Sequence, residues 1–130
     1  YKRTRIRNLI NQFKKEGLDN KKFILTINNL RKSNHALKYY VDYNKRLNSY
    51  YNEKKNEILI NKNFFKHPYE VTFRSFSDCI QKVGGKFNSV RGKKIDYILN
   101  KIQKDTLNKE TLGGCIIKKL NQTVILSKEY

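Results

Sequence analysis

From Lys21 to Tyr51 no glycine or proline interrupts the chain. Apolar residues recur there as Phe23, Ile27, Leu30, Leu37, Val41 and Leu47, with Ile24, Ala36, Tyr40 and Tyr43 beside them. That spacing is helical, and a helix of this extent is about 45 Å long. Such a rod constrains the fold most, because every other element must be built beside it or beyond it. Asn34 interrupts the stripe and argues against a coiled coil. Residues 3–16 carry a shorter amphipathic pattern, with Ile6, Leu9, Ile10 and Phe13 on one face. Gly17 suits the end of that helix, and Asp19 or Asn20 suits the cap of the next. So short a connection predicts an antiparallel helical hairpin.

After the rod the pattern changes. NEKKN interrupts the apolar spacing, which places a boundary near 50–56 and divides the chain into 1–52 and 53–130. Ile58 and Ile60 alternate with Glu57, Leu59 and Asn61, which predicts a short strand at a sheet edge. Phe64 and Phe65 begin a connection, and Pro68 suits the first turn of a third helix. Phe73, Phe76, Ile80 and Val83 give that helix its buried face, and Gly84-Gly85 stops it. Ser89 is placed to cap a fourth helix, with Ile95, Ile98, Leu99 and Ile102 inward. TLGGCIIKKL and TVILSKE read as two closing strands joined at Asn121-Gln122. The expected class is α+β: an antiparallel helical hairpin over 1–52, then a small domain of two helices and a short, mostly antiparallel three-stranded sheet over 53–130.

A chain of 130 residues can bury a core of its own. With 31% charged residues and no apolar run near the roughly 20 residues of a membrane span, a membrane protein is not expected. The sequence has no methionine and opens on Tyr1 inside a basic helical pattern. It reads as a piece of a longer protein, a trimmed N-terminus being the alternative. Cys79 and Cys115 lie far apart without a C-x-x-C, and His35 and His67 are isolated, too few ligands for a zinc site. Buried or neutral thiols in a reducing, cytoplasmic compartment are expected. There is no phosphate-binding Gly-rich loop with its Lys and Ser/Thr, and no nucleophile elbow. No catalytic residue, cofactor site or metal site is therefore expected within these residues.

The net charge of +18 points to a polyanionic partner. Lysine outnumbers arginine 22 to 7 in a sequence rich in Lys, Asn, Ile and Tyr, so coding bias is the alternative source of some of the charge. The cations nevertheless cluster. Arg3, Arg5 and Arg7 fall within five residues, and the guanidinium fork suits phosphate and base stacking. Lys82, Lys86, Arg91, Lys93 and Lys94 surround Gly84-Gly85 and the start of the fourth helix. A helix start already favours anions, so cations there imply either a tolerated penalty or a bound phosphate. Lys118 and Lys119, with Lys128, form a third group; strand alternation sends Lys118 and Lys119 to opposite faces, and Lys118 is the one retained as a contact. The bland alternatives are a solvated helix face for the first group and a simple chain reversal for the second.

Three stretches together resemble the tRNA(Ile)-lysidine synthases, in the part that follows their catalytic domain. Arg3-Thr4-Arg5-Ile6-Arg7, with the Gly17-Leu18 turn and LRKSNHAL, is similar to their arginine-rich linker helices. VGGKFNSVRGKKIDYIL is similar to a segment in which Gly-Gly precedes a loop and an arginine that opens a helix; Gly84, Gly85 and Arg91 match. Thr111-Leu112-Gly113-Gly114-Cys115, followed by Ser127-Lys128-Glu129, resembles the closing hairpin. Asn88, Ser89 and Val90 depart from the aromatic and two prolines of many members. The resemblance implies an enzyme that uses ATP, with Mg, to adenylate the wobble cytidine of isoleucine tRNA and then joins lysine to it. The ATP-pyrophosphatase loop of that family has no counterpart here. This chain is thus expected to grip tRNA for a catalytic N-terminal domain of the same protein, with a homodimer as a further possibility. Two other classes remain open: a non-enzymatic basic adaptor for RNA or DNA, and a structural helical hairpin that pairs with a protein.

Overall fold

The computed structural model describes residues 2–17, 20–85 and 92–129, with only the backbone of Phe13. Two helices open the chain, α1 (Lys2–Lys15) and α2 (Asn20–Asn48). The rod ends three residues before its expected limit: Ser49–Asn52 leaves the helix as strand β1. Tyrosines at 50 and 51 favour extended backbone, and NEKKN, expected to mark a boundary, turns β1 into β2 (Glu57–Ile60), with Asn56 in the left-handed region at φ 48°. A 3-10 turn follows at Lys62–Lys66, capped by Asn61, whose side chain accepts from the amides of Asn63 and Phe64. Then come α3 (Tyr69–Gly84), α4 (Gly92–Gln103), β3 (Lys109–Leu112), β4 (Cys115–Leu120) and β5 (Thr123–Lys128).

The chain divides into two units, 1–36 and 37–130, and the division falls inside α2. The expected boundary near 50–56 lies instead within the β1–β2 hairpin. In the first unit the apolar stripe is not sealed. Among the described side chains, Ile6, Ile24 and Leu30 are each more than half exposed, and Ile10 and Ile27 are half-buried. The turn expected to reverse the chain includes Leu18 and Asp19, outside the described residues.

The second unit is α+β. Its strands form one antiparallel sheet in the order β1-β2-β5-β4-β3. Three strands were expected, so two correct that expectation. β1 was read as the end of the rod, and β3 was merged with β4. β2 is not an edge strand; it lies between β1 and β5. Ile58, Ile60, Leu112, Cys115, Ile117, Val124 and Leu126 project from one sheet face into the core. Phe76, Ile80 and Val83 of α3 and Ile95, Ile98, Leu99 and Ile102 of α4 cover them, as their spacing predicts.

Two glycine pairs meet in this core. Gly113 and Gly114, at φ 61° and 79°, form the two-residue turn between β3 and β4, a turn type that needs left-handed backbone at both positions. Gly84 ends α3 against it: a Cβ on Gly84 would lie 2.0 Å from the Gly113 carbonyl oxygen. Gly85, at φ 70°, closes the helix by donating its amide to the Gln81 carbonyl at 2.9 Å.

The second half of α2 joins this unit through a polar contact. Asn44 is fully buried. Its Nδ2 donates to the Phe64 carbonyl and to Ser75 Oγ, each at 3.2 Å, while its Oδ1 accepts from Asn48 Nδ2 at 2.8 Å.

Candidate nucleic-acid interface

Helix geometry sorts the three arginines of α1. Arg3 and Arg7 are one turn apart on one flank of the apolar face, and Arg5 falls on the other flank. Arg5 borders a shallow groove with Lys2, Ile6, Leu9 and Gln12. All three arginines are exposed, and the first turn of α1 holds no acidic residue. The triplet therefore presents two surfaces rather than one.

In the second unit α3 and α4 differ at their ends. α3 has Glu70 in its first turn and Lys82 in its last, the arrangement a helix dipole favours. α4 has no acid in its first turn, which carries Lys93 and Lys94 instead. Both are exposed. Each cation placed there costs a few tenths of a kcal/mol to about 1 kcal/mol unless an anion joins it. Lys93 and Lys94 diverge by about 100° around the helix, so they flank the helix start from two sides. Lys82 turns toward the sheet, its ammonium 4.3 Å from the centre of the Tyr51 ring. Asn56 fixes that ring's position, accepting from Tyr51 Oη at 2.9 Å and donating to the Val83 carbonyl at 3.2 Å.

The sheet face turned away from α3 and α4 supplies a third cationic place. One cross-strand row there reads Tyr50, Leu59, Ile125, Lys118, Lys109. Lys118 and Lys109 are direct register partners and both are exposed. Like charges placed opposite each other destabilise an antiparallel pair. Lys109 was not among the expected contacts. The Gly113-Gly114 turn fixes the register that sets it against Lys118, so reading those glycines as a hairpin turn would have found it. Lys119 faces the other way, and its ammonium pairs with Asp105.

Several carboxylates are paired elsewhere. Lys45 pairs with Asp78 at 2.9 Å and Asp42 at 3.6 Å, Arg74 with Glu70 at 2.8 Å, and Lys101 with Glu110 at 2.9 Å. Burial is the largest single influence on Lys45 and lowers its pKa, but the hydrogen bond and charge of Asp78, with the charge of Asp42, together outweigh it and the net shift is upward. Among the described residues, Arg3, Arg5, Arg7, Lys82, Lys93, Lys94 and Lys118 have no carboxylate partner. Lys86 and Arg91 lie outside the described residues. The expected cluster around Gly84-Gly85 is thus resolved into Lys82 at the sheet and Lys93 and Lys94 at α4.

The two thiols are both buried. Burial pushes Cys79 and Cys115 each up to about 12, which keeps them protonated and poorly nucleophilic. Among the described residues, no three His, Cys, Asp or Glu side chains are grouped to hold a metal ion, and no helix is long and apolar enough to cross a membrane. No protein-family model matches the chain, and neither the curated proteins nor the solved structures contain a match to it.

Proposed function

We propose that this chain is the tRNA-holding portion of a ligase of the tRNA(Ile)-lysidine synthase type. One observation carries the reading: cations stand where the fold itself disfavours them. Lys93 and Lys94 occupy a helix start whose first acid, Asp96, comes a turn later, and Lys109 faces Lys118 across a strand pair; none of the four forms an ion pair with a carboxylate among the described residues. A ribose-phosphate backbone offsets both. Phosphate contacts of this kind position a nucleic acid without reading its sequence, which suits a module that holds a large folded RNA while another part selects the reacting base.

In this reading the chemistry belongs to a catalytic N-terminal domain that binds ATP with Mg and lysine. The exposed Ile6, Leu9, Leu25 and Leu30 of α1 and α2 offer that domain an apolar surface; a second copy of this chain is the other candidate for it. Filter binding with isoleucine tRNA and with duplex DNA of similar length, at about 0.15 M salt, tests the reading. Preference for the tRNA is expected. Equal binding to both would favour a basic adaptor, and no binding to either would favour a protein-pairing module.

A further inference from the structure

A cleft of about 460 Å³ opens between the start of α3 and the exposed side of α4. Thr72 and Leu99 are the most buried residues that line it. Phe65, His67 and Tyr69 line one wall. Phe65 is held edge-on by Phe64 and Phe76, with ring centres 5.2 and 6.1 Å away, and Tyr69 sits 5.9 Å from Phe73. Asn48 Nδ2, 3.4 Å from Nε2 of His67, orients the imidazole. This wall is aromatic and braced.

The other wall is polar. Asp96, Asn100 and Gln103 line it from one face of α4. Two amides and a carboxylate therefore stand across from aromatic rings. That pairing of a π-surface with hydrogen-bonding edges suits a nucleobase, and an unpaired one, since a paired base has its edge occupied. Two cations neighbour the lining residues along the chain. Lys93 lies one turn before Asp96, and Lys66 follows Phe65; both are exposed and neither has a carboxylate partner among the described residues.

Asp96 narrows the choice of base. A carboxylate repels phosphate, so it is out of place in a chain of +18 that binds RNA by backbone alone. It accepts hydrogen bonds and, when ionised, donates none. Guanine is the base whose Watson–Crick edge offers two adjacent donors, N1–H and the N2 amino group; cytosine, adenine and uracil offer a carboxylate one at a time. We infer that this cleft receives an unpaired guanine of the bound RNA, with the adjoining phosphates on Lys93 and Lys66. The inference rests on the RNA-holding reading above and assigns that RNA a contact which reads sequence.

The test is an NMR titration of the 15N-labelled full chain with the 5′-monophosphates of guanosine, adenosine, cytidine and uridine, and with ribose 5-phosphate. Guanosine monophosphate should shift the side-chain amide signals of Asn100 and Gln103 and bind about tenfold tighter than the other nucleotides. Asp96→Asn should erase that preference, and Asn100→Ala should weaken it; both positions are exposed, so the fold should persist. Identical shifts with ribose 5-phosphate would reduce the cleft to a phosphate site and overturn the inference. Shifts confined to other surfaces, or none, would overturn it too. Filter binding of tRNA to the same samples separates the two claims. Retained tRNA binding with an unresponsive cleft sinks the guanine alone, whereas lost tRNA binding sinks the reading beneath it.

Discussion

Gly84 is held to glycine by another glycine's backbone. Its missing Cβ leaves room for the Gly113 carbonyl, which belongs to a tight turn and cannot swing away. Gly84→Ala should therefore cost about 3 kcal/mol. Gly85→Ala meets no neighbour and strains only the left-handed backbone, for about 1 kcal/mol. Urea midpoints of the two variants decide this, and equal losses would contradict the close approach. The two thiols give a second residue-scale prediction. Each has an ordinary pKa of 9.0 and is raised to about 12 by burial. Above pH 9 the unfolded chain releases these protons while the folded chain keeps them, so stability must fall with rising pH. The slope approaches about 1.4 kcal/mol per pH unit for each thiol. Lys45 works in the same direction, because its raised pKa is a stabilisation present below its ordinary value and lost as pH climbs through the folded one. Urea midpoints at pH 8 and pH 10 should show the drop, and Cys79→Ala with Cys115→Ala should flatten it. An unchanged midpoint in the unsubstituted chain would count against buried thiols. Both glycine pairs and both cysteines were visible in the sequence; that Gly84 touches Gly113 was not, because nothing local records contact between residues so far apart.

Elements differ in how openly the sequence declares them. α3 and α4 were legible, since each has one buried face at helical spacing with no competing pattern. α2 was legible as a helix but only in part in what it buries. Val41 of its apolar stripe is buried, the rest of the stripe stays largely exposed, and the most deeply buried residue is Asn44. Hydrophobic periodicity cannot reveal a buried amide, whose place depends on partners contributed by Phe64, Ser75 and Asn48. Asn44→Ala should cost about 1–3 kcal/mol by leaving the Phe64 carbonyl without its donor. Thermal unfolding measures this, and a loss no larger than that of an exposed Asn29→Ala would show that the network is not holding α2 to the second unit. β1 and β3 were missed for two reasons. The tyrosines of β1 continue a helical pattern as well as they begin a strand, and β3, KETL, holds a single apolar residue, Leu112, so it shows no alternation. The cationic site suffered accordingly. Lys93 and Lys94 were found because a helix start can be read locally, whereas Lys109 was missed because its place depends on strand register.

At the scale of the whole molecule the excess of charge is the property that function must explain. Eleven carboxylates stand against twenty-nine Lys and Arg, and several of those carboxylates serve as internal ion-pair partners. If about six of the remaining cations meet phosphates, the logarithmic dependence of tRNA affinity on salt should have a slope on the order of −4 to −5. A slope near zero would mean that the charge is merely solvated. The central claim is narrower than total charge: it concerns cations at particular places. It is tested most directly by tRNA filter binding of Lys93→Glu with Lys94→Glu against Lys54→Glu with Lys55→Glu, the latter pair in the β1–β2 turn. Both double variants change net charge equally. Loss of about tenfold or more for the α4 pair, with a much smaller loss for the turn pair, is the predicted result. Equal losses would contradict it.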